Sequence, residues 1–477
     1  MGAKNFLVIM SDEHRRDAMG CMGHPMVQTP NLDRLADRGA LFTNAYTPSP
    51  MCVPTRAAVA CGDHVHRIRH WDSASPYDGA RKSWMHHLRE AGVEVTSIGK
   101  LHFRSAEDDN GFSQEILPMH VVGGVGWPVG LLREKLPAYD SAAELAADVG
   151  AGESSYTNYD LAITAATEEW FRAKKGAEEP WAAFVSLVSP HYPLTAPKQY
   201  FDMYDPATVP LPVAYDPSER PEHSELANVA GFFNYDQYFD ETKMREAIAA
   251  YFALTTFMDD CVGRILASLD ESGQMDDTVI LYVSDHGEML GDHGFWTKQV
   301  MYEASAGVPM ILAGPGIESG RVIKTAASLI DLAATAMDVT GVLAGGSLPG
   351  SSLIDIANQD YDSDRVAFSE YHDGGSTTGT FMVRWADWKY VHYVGHQPQL
   401  FNLVRDPHEL NNLAVEGVNE TDVRAAWAEG EQRLRKICNP EDVNKLCFED
   451  QKRKIAELGG EDACLNAFVF NHTPTPV

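Results

Sequence analysis

Phe6-Leu7-Val8-Ile9-Met10-Ser11-Asp12-Glu13-His14 and Val279-Ile280-Leu281-Tyr282-Val283-Ser284-Asp285-His286-Gly287 share one pattern: five apolar residues, then a serine, an aspartate and further polar groups. A run that is apolar throughout, with no alternation, reads as a strand covered on both faces, as in a parallel sheet flanked by helices. Val93–Ile98, Ala182–Val188 and Val308–Leu312 are further runs of this kind. Between them lie amphipathic stretches at helical spacing: Leu32–Arg38, Lys82–Ala91, Leu161–Lys174 and Met244–Leu269, the last stopped by Glu271-Ser272-Gly273. This alternation predicts an α/β fold with a large central, mostly parallel sheet flanked by helices.

The pattern changes toward the C-terminus. Gly341–Ser352 is rich in Gly and Ser and reads as a boundary. Beyond it, Val366–Tyr371, Thr380–Trp385 and Trp388–Tyr393 read as short strands, with a turn at Ala386-Asp387, and Glu420–Lys436 reads as a helix. The expected division is a catalytic α/β domain over 1–350, a smaller α+β subdomain over 351–436 and an irregular tail over 437–477. Two other stretches, Gly123–Tyr139 and the proline-rich Tyr204–Gln237, also read as irregular, and are long enough to suggest a functional role.

Composition narrows the function. The chain has 477 residues, 44% of them hydrophobic, which is a globular composition. Acids outnumber bases 68 to 38, a net charge of −30. That excludes nucleic acid and anionic membrane surfaces as general partners, and an anionic substrate would need a local cationic exception. No run reaches the ~20 apolar residues of a membrane-spanning helix. The apolar stretch at Phe6–Met10 is too short for a signal peptide and has no small-residue cleavage site after it. Seven cysteines, an odd number without metal-knuckle spacing, point to a reduced, cytoplasmic location.

Sites in open parallel sheets form outside the carboxyl ends of the strands. Here those ends carry Asp12-Glu13-His14, Gly99-Lys100-Leu101-His102, Ser189-Pro190-His191 and Asp285-His286-Gly287. Singly, each has a structural reading, such as an aspartate capping the next helix. Together, Asp12, Asp285 and His286 suit a divalent cation, with two hard carboxylates and one nitrogen donor. Cys52-Val53-Pro54-Thr55-Arg56 opens a helix, with Pro54 in a favoured early position. Cys52 then lies at the helix N-terminus, where the dipole favours negative charge, unless it is a buried structural cysteine.

Cys52-Val53-Pro54-Thr55-Arg56 resembles the Cys-x-Pro-(Ser/Thr)-Arg signature of the type I sulfatases of the alkaline phosphatase superfamily. The resemblance covers nearly the whole chain. Thr29-Pro30-Asn31-Leu32-Asp33, Gly99-Lys100-Leu101-His102, Pro190-His191-Tyr192-Pro193, Ser284-Asp285-His286-Gly287-Glu288 with Lys298, and Gln399–Leu403 with Asp406-Pro407-His408-Glu409 are similar to further family blocks. It implies that Cys52 is converted to formylglycine by a formylglycine-generating enzyme, and that the aldehyde hydrate is the nucleophile. It also implies a divalent metal held by Asp12, residue 52, Asp285 and His286, with Ca2+ expected and Mn2+ the alternative. Arg56 and Lys100 would hold the hydrate, and His102 would take the proton that lets the sulfo-enzyme intermediate collapse. His191 and Lys298 would bind sulfate and assist the leaving oxygen.

Asp285-His286 resembles the choline sulfatase and phosphonate monoester hydrolase branch, which uses one first-strand Asp, so Glu13 reads as an outer or structural group. Thr55 favours the sulfatase side, whereas Ala60-Cys61-Gly62-Asp63 departs from the family's usual Leu-Thr-Gly-Arg. The expected substrate is a small sulfate monoester with a neutral or cationic leaving group. A phosphonate monoester or phosphodiester hydrolase, and a non-catalytic anion-binding protein, are the competing readings. Trp127, Trp296, Tyr371 and His372 either line a leaving-group pocket, with acids such as Glu370 cradling a cation, or pack a domain interface. By analogy with the Asp-His branch, the tail Cys438–Val477 packs across a neighbouring subunit of a homo-oligomer.

Overall fold

Alternate residues of the first strand serve two different cores, which explains its unbroken apolar run. Leu7 and Ile9 pack with Tyr159, Ile163, Met258 and Val262 of the helices Ser155–Ala173 and Glu241–Glu271 on one face. Phe6, Val8 and Met10 pack with Ala57, Val59, Leu332 and Ala336 of the helices Cys52–Cys61 and Asp331–Thr340 on the other. A computed structural model describes residues 4–139, 142–343, 348–415, 420–467 and 473–477.

The central sheet holds Asn5–Asp12 (β1), Gly39–Phe42 (β2), Glu94–Lys100 (β3), Gln114–Met119 (β4), Trp181–Pro190 (β5), Thr278–Ser284 (β6), Met310–Ala313 (β7) and Arg321–Ile323 (β8). Across the sheet the order is β8-β2-β7-β6-β1-β5-β3-β4. β1 lies parallel between β6 and β5, with Val8 opposite Leu281 and Phe184. β3 is parallel to both β5 and β4, while β7 runs antiparallel to β6 and β2. The parallel core therefore delivers the ends of β1, β3, β5 and β6 to one edge. Gly99 in β3 is required there: its φ is +103°, and a Cβ would lie 2.3 Å from the Ser186 carbonyl oxygen of β5.

Ala367–Tyr371 (β9), Thr380–Trp385 (β10), Trp388–Tyr393 (β11) and Gln399–Asn402 (β12) form an antiparallel sheet in chain order. The helix Thr421–Ile437 covers it, with Ala426 and Leu434 against Trp385 and Tyr390. A buried ion cluster pins this sheet to the large domain. Lys389 of β11 meets Glu303 at 3.0 Å and Glu409 at 2.5 Å, and Glu303 also engages Arg16 and the Tyr46 hydroxyl.

Two expectations of irregular chain are corrected. The tail after residue 436 contains the helices Pro440–Glu457 and Glu461–Leu465. Asn439 caps the first, accepting from the Glu441 N–H, with Pro440 at its first position. This helix docks through polar groups: Gln451 reaches Asp72 and the His372 carbonyl, and Asp450 takes Arg69 and the Trp71 indole N–H. Val443, Leu446, Cys447 and Ile455 add a short apolar side, which Gln451 and Asp450 interrupt. Within 204–237, Ser224–Phe233 is a helix, capped by His223 and ended by Asn234 in the left-handed region. Residues 344–347 of the expected boundary, and 468–472 of the tail, lie outside the described residues. Among the described residues no helix is long and apolar enough to cross a membrane.

Candidate active site

Cys52 opens a helix whose residues are all buried, and its thiol meets the carboxyl ends of β1 and β6. Sγ lies 3.3 Å from His286 Nε2 and 4.0 Å from Asp12 Oδ1. Residues from β1, β3, β5 and the end of β6 meet here, tied together by Arg56. Its guanidinium donates to Asp285 Oδ2 and Asp12 Oδ2, both at 2.9 Å, to the Lys100 carbonyl at 2.8 Å and to Ser186 Oγ at 3.0 Å. Lys100 Nζ sits 2.7 Å from the same Asp12 oxygen. Burial would raise the Asp12 carboxyl, but the cations Lys100 and Arg56 oppose it, and the group is held well below its ordinary range. Asp12 is therefore ionised.

The donor set suits a hard divalent cation. One ligand atom each from Asp12, Cys52, Asp285 and His286 lies within 4.8 Å of the others, and all four residues are buried. His286 Nδ1 is 3.0 Å from the Gly287 carbonyl, which places the ring proton on Nδ1 and turns the Nε2 lone pair toward the carboxylates. Gly287 allows that turn: a Cβ there would lie 2.0 Å from the Ala304 carbonyl oxygen. A second grouping, Asp12, Glu13 and His191, has similar spacing. An ammonium already stands within it, since Lys298 Nζ is 3.2 Å from Glu13 Oε2 and 3.1 Å from His191 Nε2.

A pocket of about 150 Å³ opens above residue 52. Cys52, His102, His191 and Lys298 form its polar floor, and Trp127, Tyr139, Tyr156, Tyr192, Phe233 and Tyr235 dominate its wall. No Asp or Glu is among the described lining residues. Burial, reinforced at His102 by Lys100 and Arg56 and at His191 by Lys298 and Lys100, pushes both imidazoles well below their ordinary range. Both are neutral at physiological pH.

The family model described as sulfatase matches residues 4–342, and one described as N-sulphoglucosamine sulphohydrolase, C-terminal, matches residues 291–436. The chain belongs to the sulfatase family. It is 32% identical to a choline-sulfatase of Rhizobium meliloti (strain 1021) over 435 residues, covering 87% of this chain and 83% of that protein. It is 30% identical to an arylsulfatase K of Danio rerio over 434 residues, covering 86% and 80%. The solved phosphonate monoester hydrolase of Agrobacterium radiobacter superposes with a TM-score of 0.75 at 25% identity, over 91% of this chain and 95% of that one. As a sulfatase this chain is a sulfuric ester hydrolase.

The catalytic and metal-site candidates named from the sequence lie together in two layers. Cys52, His102, His191 and Lys298 face the pocket, while Arg56 and Lys100 are buried and spend their contacts on the carboxylates. The helix dipole does not make Cys52 a thiolate: burial first, and then Asp12, push its thiol up to about 12. Of the four aromatic or imidazole candidates for the pocket, Trp127 lines it. Trp296 instead stacks on Phe239 at 4.1 Å, Tyr371 donates to the Gly374 carbonyl, and His372 is buried against Glu370. Glu370 is held between His66 and His372, away from the pocket, so it does not cradle a cation there.

Several sulfatase pocket groups were not read from the sequence. Phe233 and Tyr235 come from the stretch expected to be irregular; Phe233 ends the Ser224–Phe233 helix and Tyr235 opens the short turn after it. Thr473, from the C-terminal tail, lines the pocket and sets its Oγ1 2.9 Å from His102 Nε2. His102 Nδ1 has no hydrogen-bond partner among the described residues. A hydroxyl near the chain end gives no local signal that it meets a histidine 371 positions earlier.

Proposed function

We propose that this chain hydrolyses a small sulfate monoester with a neutral leaving group, using residue 52 as formylglycine. One observation carries the reading: Cys52 stands at the base of an aromatic-walled pocket, with its thiol among Asp12, Asp285 and His286. A thiol held protonated by burial is a poor nucleophile, which suits a precursor to an aldehyde better than a working thiolate. Asp12, Asp285, His286 and residue 52 would hold the metal, Ca2+ or alternatively Mn2+. When bound, a divalent cation supplies a Lewis acid that polarises the ester's oxygens and makes the hydrate at residue 52 more acidic.

The chain's own groups divide the remaining work. Arg56 and Lys100 brace the carboxylates around residue 52 and lend positive charge to its hydrate. Neutral His102 takes a proton from the hydrate at its unpartnered ring nitrogen. Lys298 donates N–H groups to the ester's oxygens, and His191, beside it, serves the leaving oxygen. Formally, Arg56, Lys100 and Lys298 balance Asp12, Glu13 and Asp285. A divalent ion would tip this balanced site positive, providing the cationic exception that an acidic body needs for an anionic substrate. With no acid on the pocket wall, an aromatic or other neutral leaving group fits better than a cationic one.

Maturation by a formylglycine-generating enzyme, a cytoplasmic location and a homo-oligomeric state complete the proposal. The free state of all seven cysteines suits a reduced compartment. Peptide mass spectrometry of the protein from its native host tests maturation, because conversion of the thiol to an aldehyde removes about 18 Da. Kinetics on an aryl sulfate beside a phenylphosphonate monoester test the chemistry. The likeness to a phosphonate monoester hydrolase makes that ester the rival substrate, and a large preference for it would displace the sulfate reading.

A further inference from the structure

Glu13 has no part in the mechanism above, yet it lies at the centre of the anion-binding end. We propose that Glu13 is a positioning residue that holds the Lys298 ammonium, and His191 beside it, in place to receive the ester's oxygens. The inference rests on the reading that Lys298 and His191 bind the substrate anion.

The backbone commits Glu13 to this place. Its φ is +64°, in the left-handed region that a non-glycine residue rarely occupies. Two contacts fix the kink: the Glu13 N–H donates to Asp285 Oδ1 at 3.2 Å, and the Glu13 carbonyl accepts from the Tyr251 hydroxyl at 2.7 Å. The side chain is thus inside the site, fully buried. Its Oε2 lies 3.2 Å from Lys298 Nζ and 3.3 Å from His191 Nε2, and those two nitrogens are 3.1 Å apart. The three heads form a closed triangle.

Lys298 depends on that triangle. It is only 3% exposed, and an ammonium so buried needs a counter-charge; burial raises the Glu13 carboxyl to about 8 and Lys298 opposes that rise, so each group's charge depends on the other. Asp12 Oδ2 is spent on Arg56 and Lys100, and Glu13 is the acid within ion-pair distance of Lys298 among the described residues. The loop that carries Lys298 is fixed separately. Glu288 Oε1 accepts the Leu290 N–H at 2.8 Å and the Thr297 N–H at 2.5 Å, and the Met289 N–H donates to the Thr297 carbonyl at 2.7 Å. One carboxyl group thus sets the lysine's backbone and another sets its head. A lysine on a flexible four-carbon stem becomes a preorganised donor.

The rival role for Glu13 is metal ligation, since Asp12, Glu13 and His191 have metal-like spacing. Glu13→Gln, Lys298→Ala and their double mutant separate the two roles. The readouts are bound divalent metal by elemental analysis, inorganic sulfate affinity by calorimetry, and kcat and KM for an aryl sulfate. The isosteric Glu13→Gln change should leave metal stoichiometry and Tm at wild-type values and weaken sulfate binding and kcat/KM about 10–100-fold. In the Lys298→Ala background it should add less than about twofold, because both changes remove one coupled unit. Glu13→Asp, which keeps the charge one methylene farther away, should fall between wild type and Gln. Metal loss in Glu13→Gln, unchanged sulfate affinity, or full additivity with Lys298→Ala would each overturn the assignment. A wild-type protein that binds sulfate with this coupling but hydrolyses no sulfate ester would instead overturn the proposed function and leave the Glu13 assignment standing.

Discussion

Two buried ion clusters in this molecule look alike on paper and differ in what surrounds them. At the strand ends, Asp12, Glu13 and Asp285 face Arg56, Lys100 and Lys298. At the seam between the two sheets, Glu303 and Glu409 face Lys389 and Arg16. The seam cluster joins side chains from facing elements and has no cysteine or imidazole among these charged partners. The strand-end cluster surrounds Cys52 and aims the His286 Nε2 lone pair into itself. Buried charge alone therefore does not mark a site; a reactive atom with convergent donors, open to a pocket, does. The seam should carry stability, and the strand ends should carry activity.

The sharpest way to break that contrast is Cys52→Ala. Turnover should fall by about 10⁴-fold or more, while Tm stays within a few degrees, because only a small buried side chain is lost. Near wild-type turnover would remove residue 52 from the chemistry. The opposite pattern is expected at the seam. Lys389→Ala leaves Glu409 and Glu303 without their shared ammonium and should cost about 3–5 kcal/mol in denaturant unfolding. Its kcat/KM, measured on the folded protein, should stay within about threefold of wild type. A large loss of activity without loss of stability would erase the division.

Acid should act on the seam as well. Burial pushes His64 and His293 down to about 4 from 6.5. His64 packs against Phe368 of β9, and His293 Nε2 meets the His408 carbonyl. Between pH 6.5 and 4 the unfolded chain takes up protons that these folded imidazoles refuse, so stability falls as pH drops through that window. Tm measured across this range should decline, and His64→Gln with His293→Gln should flatten the slope. The smallest expected effect returns to the pocket. Thr473→Val removes one neutral hydrogen bond to His102 and should lower kcat/KM about fivefold, with Thr473→Ser recovering most of it. A rise in activity would mean that the tail obstructs the pocket.

Much of the site was legible because it is local in sequence. Asp12, Lys100, His191 and Asp285-His286 each follow an apolar run by one to a few residues, and parallel strands must present such residues at one edge. Cys52 and Arg56 are one helical turn apart, so a short motif held both. The strands Gly39–Phe42, Gln114–Met119 and Arg321–Ile323 were not read, being short or edge elements with weak patterns.

The sequence by itself thus determined the central strands of the sheet, the family resemblance and the candidate catalytic residues, because period, strand ends and a five-residue motif are short-range signals. Only the tertiary structure decided how those residues combine. It placed Arg56 across Asp12 and Asp285, 229 positions from the latter, and paired Glu13 with Lys298 across 285 positions. It brought Phe233, Tyr235 and Thr473 to one pocket, and it turned a polar tail into a docked helix. Such contacts depend on side chains that meet only after the sheet closes, and neither propensity nor local spacing records them.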